Sequence, residues 1–233
     1  MIPAAILAAT LPLPMAAETF EFYKLNDPSD AADFRPDGVS GVDYFPATGA
    51  DLASSNVDGG ILNGDLSYTS GSLTATATAT YFGGDAAVVQ DHEPNWTEAR
   101  GAGLGVYHRS GDNSDDNITD GEKLTINFGE SVNVTSIGLR AEGHSYAVGS
   151  WLPGATFLLN GVSTLLPSGT GSIAVDITGS ELTFEYGGTT PDQFYLAVLE
   201  ARSVSVPDGG ASAALLGFSL LGLGFVRKQL ASQ

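Results

Sequence analysis

The chain contains no cysteine. That excludes a thiol nucleophile, a Cys-ligated zinc and a disulfide framework, so an exported form of it must be held by its core or by a metal. Basic residues are scarce: nine Lys and Arg stand against 27 Asp and Glu, a formal charge of −18. Such a chain has no electropositive footprint with which to hold nucleic acid or an anionic lipid surface. Helical periodicity is missing as well. No window between residues 18 and 205 sustains apolar side chains at i, i+3, i+4 and i+7. Disorder is excluded by the balance of 42% hydrophobic to 15% charged residues.

What the chain does have is short β-patterned runs between Gly, Asn, Asp and Pro, and 30 glycines to turn them. The runs are Thr19–Lys24, Gly71–Phe82, Ala86–Gln90, Gly103–His108, Glu122–Phe128, Val132–Glu142, Ala155–Leu159, Ser172–Ile177, Glu181–Tyr186 and Phe194–Val204. Their spacing predicts an all-β fold, an antiparallel β-sandwich. The clearest run alternates Thr74, Thr76, Thr78 and Thr80 with Leu73, Ala75, Ala77, Ala79 and Tyr81. Period-two geometry puts the Ala set inward and leaves the Thr set as a solvated, β-favouring face. Gly129-Glu130-Ser131 reads as a link of hairpin length between the fifth and sixth runs. Phe194–Val204 is apolar on both faces, as a central strand is.

The two ends read as signals. Residues 1–17 are apolar up to Glu18 and offer small-residue cleavage sites at Pro14-Met15-Ala16 and Met15-Ala16-Ala17, which predicts a signal peptide. Residues 206–233 hold a small-residue motif (206–210), an apolar helix (211–226) and a basic end, Arg227 and Lys228. The apolar run is uncharged over 16 residues, about 24 Å of helix, slightly short for a permanent span and adequate for a transient one. The basic pair would hold its end on the cytoplasmic side. Between the signals lies one domain, 18–205, large enough for its own core. When Arg227 and Lys228 leave with the tail, seven of the nine basic residues remain.

The order Val206, Pro207, Asp208, Gly209, Gly210, then the Leu/Gly-rich run Leu215–Gly224, then Arg227-Lys228, resembles the PEP-CTERM sorting signals of Gram-negative bacteria, most closely the Val-Pro-Asp variant. Gly209 stands where that variant commonly has Ser. The resemblance implies cutting near the Pro motif by an exosortase-like membrane protease, and association with the envelope, surface glycans or extracellular polymer. An ordinary tail anchor is the alternative. A looser resemblance spans about residues 60–205: Gly101–Val106, an acidic loop, then Gly121–Phe128 are similar to jelly-roll-like domains of secreted PEP-CTERM proteins. It implies a fold and not an activity.

Motifs that carry chemistry are few. Asp112, Asp115, Asp116, Asp120 and Glu122 crowd one loop, and calcium takes six to eight such oxygens. The spacing is not an EF-hand, since Asn117 stands at the sixth position and Lys123 at the twelfth. A structural calcium on Asp112, Asp115, Asp116 and Glu122 is one reading, and a solvated acidic turn is the other. Gly143-His144-Ser145-Tyr146-Ala147 looks like a nucleophile elbow, but Val148–Gly154 cannot begin the helix an elbow needs. No catalytic residue is assigned. His92, His108 and His144 match no metal-ligand spacing. Gly101, Gly103 and Gly105 precede a strand where a dinucleotide site needs a helix. Trp96 and Trp151 offer aromatic faces for stacking on sugar rings, or for packing in a core.

The sequence therefore predicts an exported envelope or extracellular-matrix protein with a non-enzymatic structural or glycan-binding role. Its partners would be an exosortase-like protease and extracellular polysaccharide, with transient membrane insertion through the tail and no nucleic acid. No cofactor is expected beyond that calcium. The alternative is a secreted hydrolase acting on polysaccharide or ester substrates.

Overall fold

The computed structural model describes residues 16–24, 34, 37, 65–90, 102–108, 117–141, 151–167, 169, 171–204, 219 and 227. Met15–Ser203 form one compact unit, and Met1–Pro14 with Val204–Gln233 form another. Among its described residues the first unit has ten strands: β1 (Glu18–Phe20), β2 (Leu66–Ser70), β3 (Leu73–Tyr81), β4 (Gly84–Gln90), β5 (Leu104–Tyr107), β6 (Glu122–Ala141), β7 (Thr156–Leu159), β8 (Val162–Leu165), β9 (Ser172–Tyr186) and β10 (Phe194–Ser203). In the second, Ser219 and Arg227 are helical and exposed; the rest of the expected apolar helix lies outside the described residues. Among the described residues no helix is long and apolar enough to cross a membrane.

The all-β, antiparallel class is as the sequence predicts. Among the described residues the hydrogen bonds run through one ten-stranded sheet. Five strands close a ring: β10 pairs β5, then β4, β3, β6 and back to β10. Every one of these pairings is antiparallel. An odd ring of antiparallel strands cannot close with straight strands, since alternating direction leaves one mismatched pair. One strand has to turn back, and β6 does so. Its first half, Glu122–Asn127, pairs with β3, and its second, Val132–Ala141, pairs with β10.

The turn falls at Gly129–Ser131, where the sequence predicts a hairpin link. The two halves of β6 do not pair with each other, so the expected hairpin is an arch within one strand. From Asn127 to Val132, β6 advances five positions while β9 passes only from Glu181 to Gly179. The surplus residues bow outward, and a bulge of this kind bends a strand without ending it. Gly129, at φ +67°, donates its N–H to Asn127 Oδ1 at 2.7 Å. Strand β9 follows both halves of β6, so Ser172–Ile177 and Glu181–Tyr186 are likewise one strand and not two.

Strands β7 and β8 form a hairpin that extends the sheet beyond β9. Its turn, Asn160-Gly161, has positive φ at both residues (50° and 75°), the backbone that suits the twist of flanking strands. Strand β2 pairs with the first part of β3, Leu73–Ala77, and β4 with its end, Ala79–Tyr81. Neither β2 nor β8 is among the strands predicted above.

The core lies where the alternation puts it. Leu73, Ala75 and Ala77 are buried while Thr74 is exposed and Thr76 half-buried. On the outer face the hydroxyls of Ser67 and Thr76 (3.0 Å) and of Thr69 and Thr74 (3.2 Å) bond across strands. Leu124, Ile126 and Phe128 of β6 point inward, and Phe194 through Ala197 of β10 are buried on both faces. With no disulfide, the segment after β1 is held by buried contacts. The Phe20, Phe22, Phe34 and Tyr68 rings pack edge to face and stacked at 4.9–6.1 Å. Beneath them Tyr68 Oη donates to Gln90 Oε1 at 3.0 Å, and Gln90 Nε2 donates to the carbonyls of Phe22 (2.8 Å) and Phe34 (2.7 Å). Gln90 is fully buried with both ends satisfied, so this polar group costs little where it lies and fixes the register of the N-terminal segment.

The ring has two ends. One carries the β6 arch, the β2–β3 turn at Gly71-Ser72, the start of β1 and the end of β10. At the other lie Tyr81-Phe82, the end of β5, the approach to β6 at Ile118–Glu122, and the start of β10.

Candidate functional site

The polar constellation at the second end is assembled by three strands. Strand β5 ends at Tyr107 and presents His108. After the acidic loop the chain returns at Asn117, whose carbonyl accepts the Val106 N–H at 3.0 Å. Ile118 then bridges to Phe194 at the start of β10. Thr119–Glu122 form a reciprocal turn: Glu122 N–H donates to the Thr119 carbonyl at 3.0 Å, and Thr119 N–H donates to Glu122 Oε2 at 2.8 Å. The other carboxylate oxygen, Oε1, lies 2.9 Å from His108 Nδ1. Glu122 is buried and His108 nearly so, with side-chain exposures of 0% and 10%.

Tyr81, paired with Glu122 across β3 and β6, lays its ring on the His108 imidazole at 3.6 Å and 15°. Phe82 packs edge-on against Tyr81 at 4.6 Å, and its N–H donates to the Gly121 carbonyl at 2.8 Å. The imidazole is therefore fixed on one face by a ring and on one nitrogen by a carboxylate. An ionised Glu122 keeps the proton of His108 on Nδ1 and makes Nε2 the chemically directed atom. This is the orienting arrangement by which a carboxylate fixes a histidine base, or a histidine that ligates a metal. The same bond also has a structural effect, tying the end of β5 to the start of β6 across the loop.

The site residues expected from sequence fall as follows. Of the calcium set, Glu122 has its carboxylate engaged by His108 and the Thr119 amide; Asp112, Asp115 and Asp116 lie outside the described residues. Among the described residues no group of three or more His, Asp and Glu is placed to hold a metal. Trp151 is half-buried against the core and donates Nε1–H to the Gln193 carbonyl at 3.2 Å. Trp96, Ser145, His92, His144 and the motif residues Val206, Pro207, Asp208 and Gly209 lie outside the described residues, as does Lys228. The glycine run has a packing explanation: a Cβ on Gly103, at φ +123°, would meet the backbone of Leu196 on β10. The pairing of His108 with Glu122 is a site that spacing did not reveal. Fourteen residues apart in sequence, the two become neighbours because β5 ends and β6 begins at the same end of the ring.

Comparison with known proteins assigns the tail. Residues 205–230 match the VPDSG-CTERM motif, a variant of the PEP-CTERM-like sorting tail. The chain thus carries a C-terminal sorting signal, the mark of a protein exported to the cell envelope or surface. No curated protein and no solved structure matches the chain.

Proposed function

We propose that this chain is an exported envelope or extracellular-matrix protein whose β-domain has a non-enzymatic structural or glycan-binding role. An exosortase-like protease of a Gram-negative bacterium removes its tail. The observation that carries the reading is the motif at 205–230, with the apolar run and Arg227-Lys228 in the order a transient, inside-positive segment requires. The acidity of the chain, 27 Asp and Glu against nine Lys and Arg, agrees with a well-solvated cargo. The looser likeness to jelly-roll domains of secreted proteins, the signal peptide at 1–17 and a polysaccharide partner belong to the same proposal, with Trp96 and Trp151 as its aromatic contacts. So does a structural calcium in the loop, now resting on Asp112, Asp115 and Asp116 with Glu122 as the residue that anchors the loop's end. The test is a glycan array probed with the full chain in detergent: retention of polysaccharide without turnover supports the binding module.

The hydrolase alternative has one observation in its favour, the Glu122-oriented imidazole of His108. That is half of a base-and-orienter arrangement. Turnover of an ester or polysaccharide that is lost in His108→Gln would replace the binding reading with the enzyme.

A further inference from the structure

The turn between β3 and β4 is two residues long, since Tyr81 pairs with Gly84 and only Phe82 and Gly83 lie between them. Both have positive φ, 46° and 78°. A hairpin turn of this hand favours Asn or Gly at its first position, because a bulky side chain is strained there. Phe82 gains nothing from burial in return. It is 71% exposed, more than any other large apolar side chain among the described residues. A residue that costs stability on both counts is explained by what its ring does in the open. We infer that Phe82 is the stacking platform of a binding site for an uncharged polysaccharide, with Asp120 beside it as the acceptor for sugar hydroxyls. The inference rests on the glycan-binding reading above and sets its contact surface at the His108 end of the ring.

The Phe82 ring is held in place. Its N–H donates to the Gly121 carbonyl at 2.8 Å. One edge of the ring lies against Gly121, where an added Cβ would come within 2.6 Å of Cε2 and Cζ. The missing side chain of Gly121 is therefore the seat of the ring. Tyr81 packs edge-on against Phe82 at 4.6 Å and 67°, and is itself stacked on His108, which Glu122 fixes. Each link removes freedom that the ring would otherwise lose on binding. Past the ring the turn is bare. Gly83 and Gly84 are exposed, and nothing lies within 4 Å of a Cβ built at Gly83. A flat ligand can approach over two residues that have no side chains.

A pyranose carries C–H bonds on its face and hydroxyls around its rim. The C–H groups are weakly positive and meet the negative π-face of the ring. Removing water from both apolar surfaces adds to the attraction. The hydroxyls need acceptors, and Asp120, next in the chain to Gly121, is exposed; its carboxylate is an acceptor only. The same charge sets specificity. A uronate or sulfated glycan would bring like charge to Asp120, on a chain of formal charge −18, and be repelled. One ring and one carboxylate are also too small a surface to hold a folded protein.

Phe82→Asn separates the ring from the fold, because Asn suits the left-handed turn better than Phe does. The full chain in detergent is run by affinity electrophoresis through gels containing hydroxyethylcellulose, galactomannan or alginate. Retardation by a neutral polymer and not by alginate is the expected result. Phe82→Asn should weaken that binding roughly ten-fold or more, the scale of losing one anchoring aromatic contact, while its melting temperature stays level or rises. Phe82→Trp should keep the retardation. Undiminished retardation of Phe82→Asn overturns the platform and leaves the glycan-binding reading standing. Loss of binding together with a lowered melting temperature makes Phe82 a structural residue and overturns it too. Phe82-dependent retardation by alginate overturns the uncharged class of ligand. Flotation with phosphatidylcholine vesicles, in a chain whose tail carries Leu220→Arg and Leu223→Arg, that is lost in Phe82→Asn makes the ring a membrane wedge and overturns the sugar assignment. No retardation of the native chain by any of the three polymers overturns both readings.

Discussion

One carboxylate of Glu122 fixes His108 and closes its own turn at once, with Oε1 at 2.9 Å from the imidazole Nδ1 and Oε2 at 2.8 Å from the Thr119 amide. The pair ties the end of β5 to the start of β6, beside the Val106 N–H bond to the Asn117 carbonyl.

Replacing Glu122 with Gln keeps the shape and removes the charge. Hydrogen bonds to a charged group are worth about 1.5–3 kcal/mol, so thermal unfolding of Glu122→Gln should show a loss of that order. His108→Gln should cost a similar amount. The double variant should cost less than the sum of the two, since each single change already breaks the shared bond.

The Tyr68–Gln90 bond predicts behaviour at high pH. Burial, then the charge of Asp37, hold the Tyr68 hydroxyl well above the ordinary tyrosine range. In the unfolded chain it ionises near pH 10. Above that pH the unfolded state has lost a proton that the folded state retains, so stability is fully present below about pH 10 and falls as pH rises past it. Denaturant titrations should show this slope in the native sequence and a weaker one in Tyr68→Phe. At neutral pH that variant should be destabilised by about 1–3 kcal/mol, because Gln90 Oε1 is left buried without its donor.

Two glycines with positive φ should respond differently to Ala. At Gly103 the new Cβ meets the Leu196 backbone, which closes the ring between β5 and β10. Gly103→Ala should cost more than about 3 kcal/mol or fail to fold. At Gly129 there is nothing within 4 Å of a new Cβ, and only the left-handed backbone penalty of about 1–2 kcal/mol applies. Equal effects would contradict the arch as described.

Much of this fold is written in the order of residues. The Thr/Ala alternation of β3 places Leu73, Ala75 and Ala77 in the core without ambiguity, because a one-residue slip would bury four threonines. The doubly apolar β10 likewise marks itself as central. The arch is different. Gly129-Glu130-Ser131 suits a hairpin and a bowed strand equally, and only the parity of a five-strand ring decides between them. Strand β8 was legible in Asn160-Gly161, a strong hairpin signal between two apolar-polar runs. Strand β2 was not, since Leu66–Ser70 sits beside β3 with only the short Gly71-Ser72 turn between. The His108–Glu122 pair needs the loop's two banks to meet, which local pattern does not encode. The tail needs no tertiary structure at all, which is why it was the most readable feature.

The loop itself supplies a prediction. If calcium holds Asp112, Asp115 and Asp116 together, millimolar calcium should raise the melting temperature of the full chain. The triple variant Asp112→Asn, Asp115→Asn, Asp116→Asn should not respond. Calorimetric titration with no heat and no change in melting temperature would leave the loop as a solvated acidic turn.

The central claim is that the chain is sorted by its tail and parts from it. Mass spectrometry of the C-terminal peptide of the protein recovered from the surface of cells that make it tests this most directly. The account predicts a terminus within or beside Val206–Gly210. Recovery of surface protein that still carries Arg227 and Lys228 would contradict it.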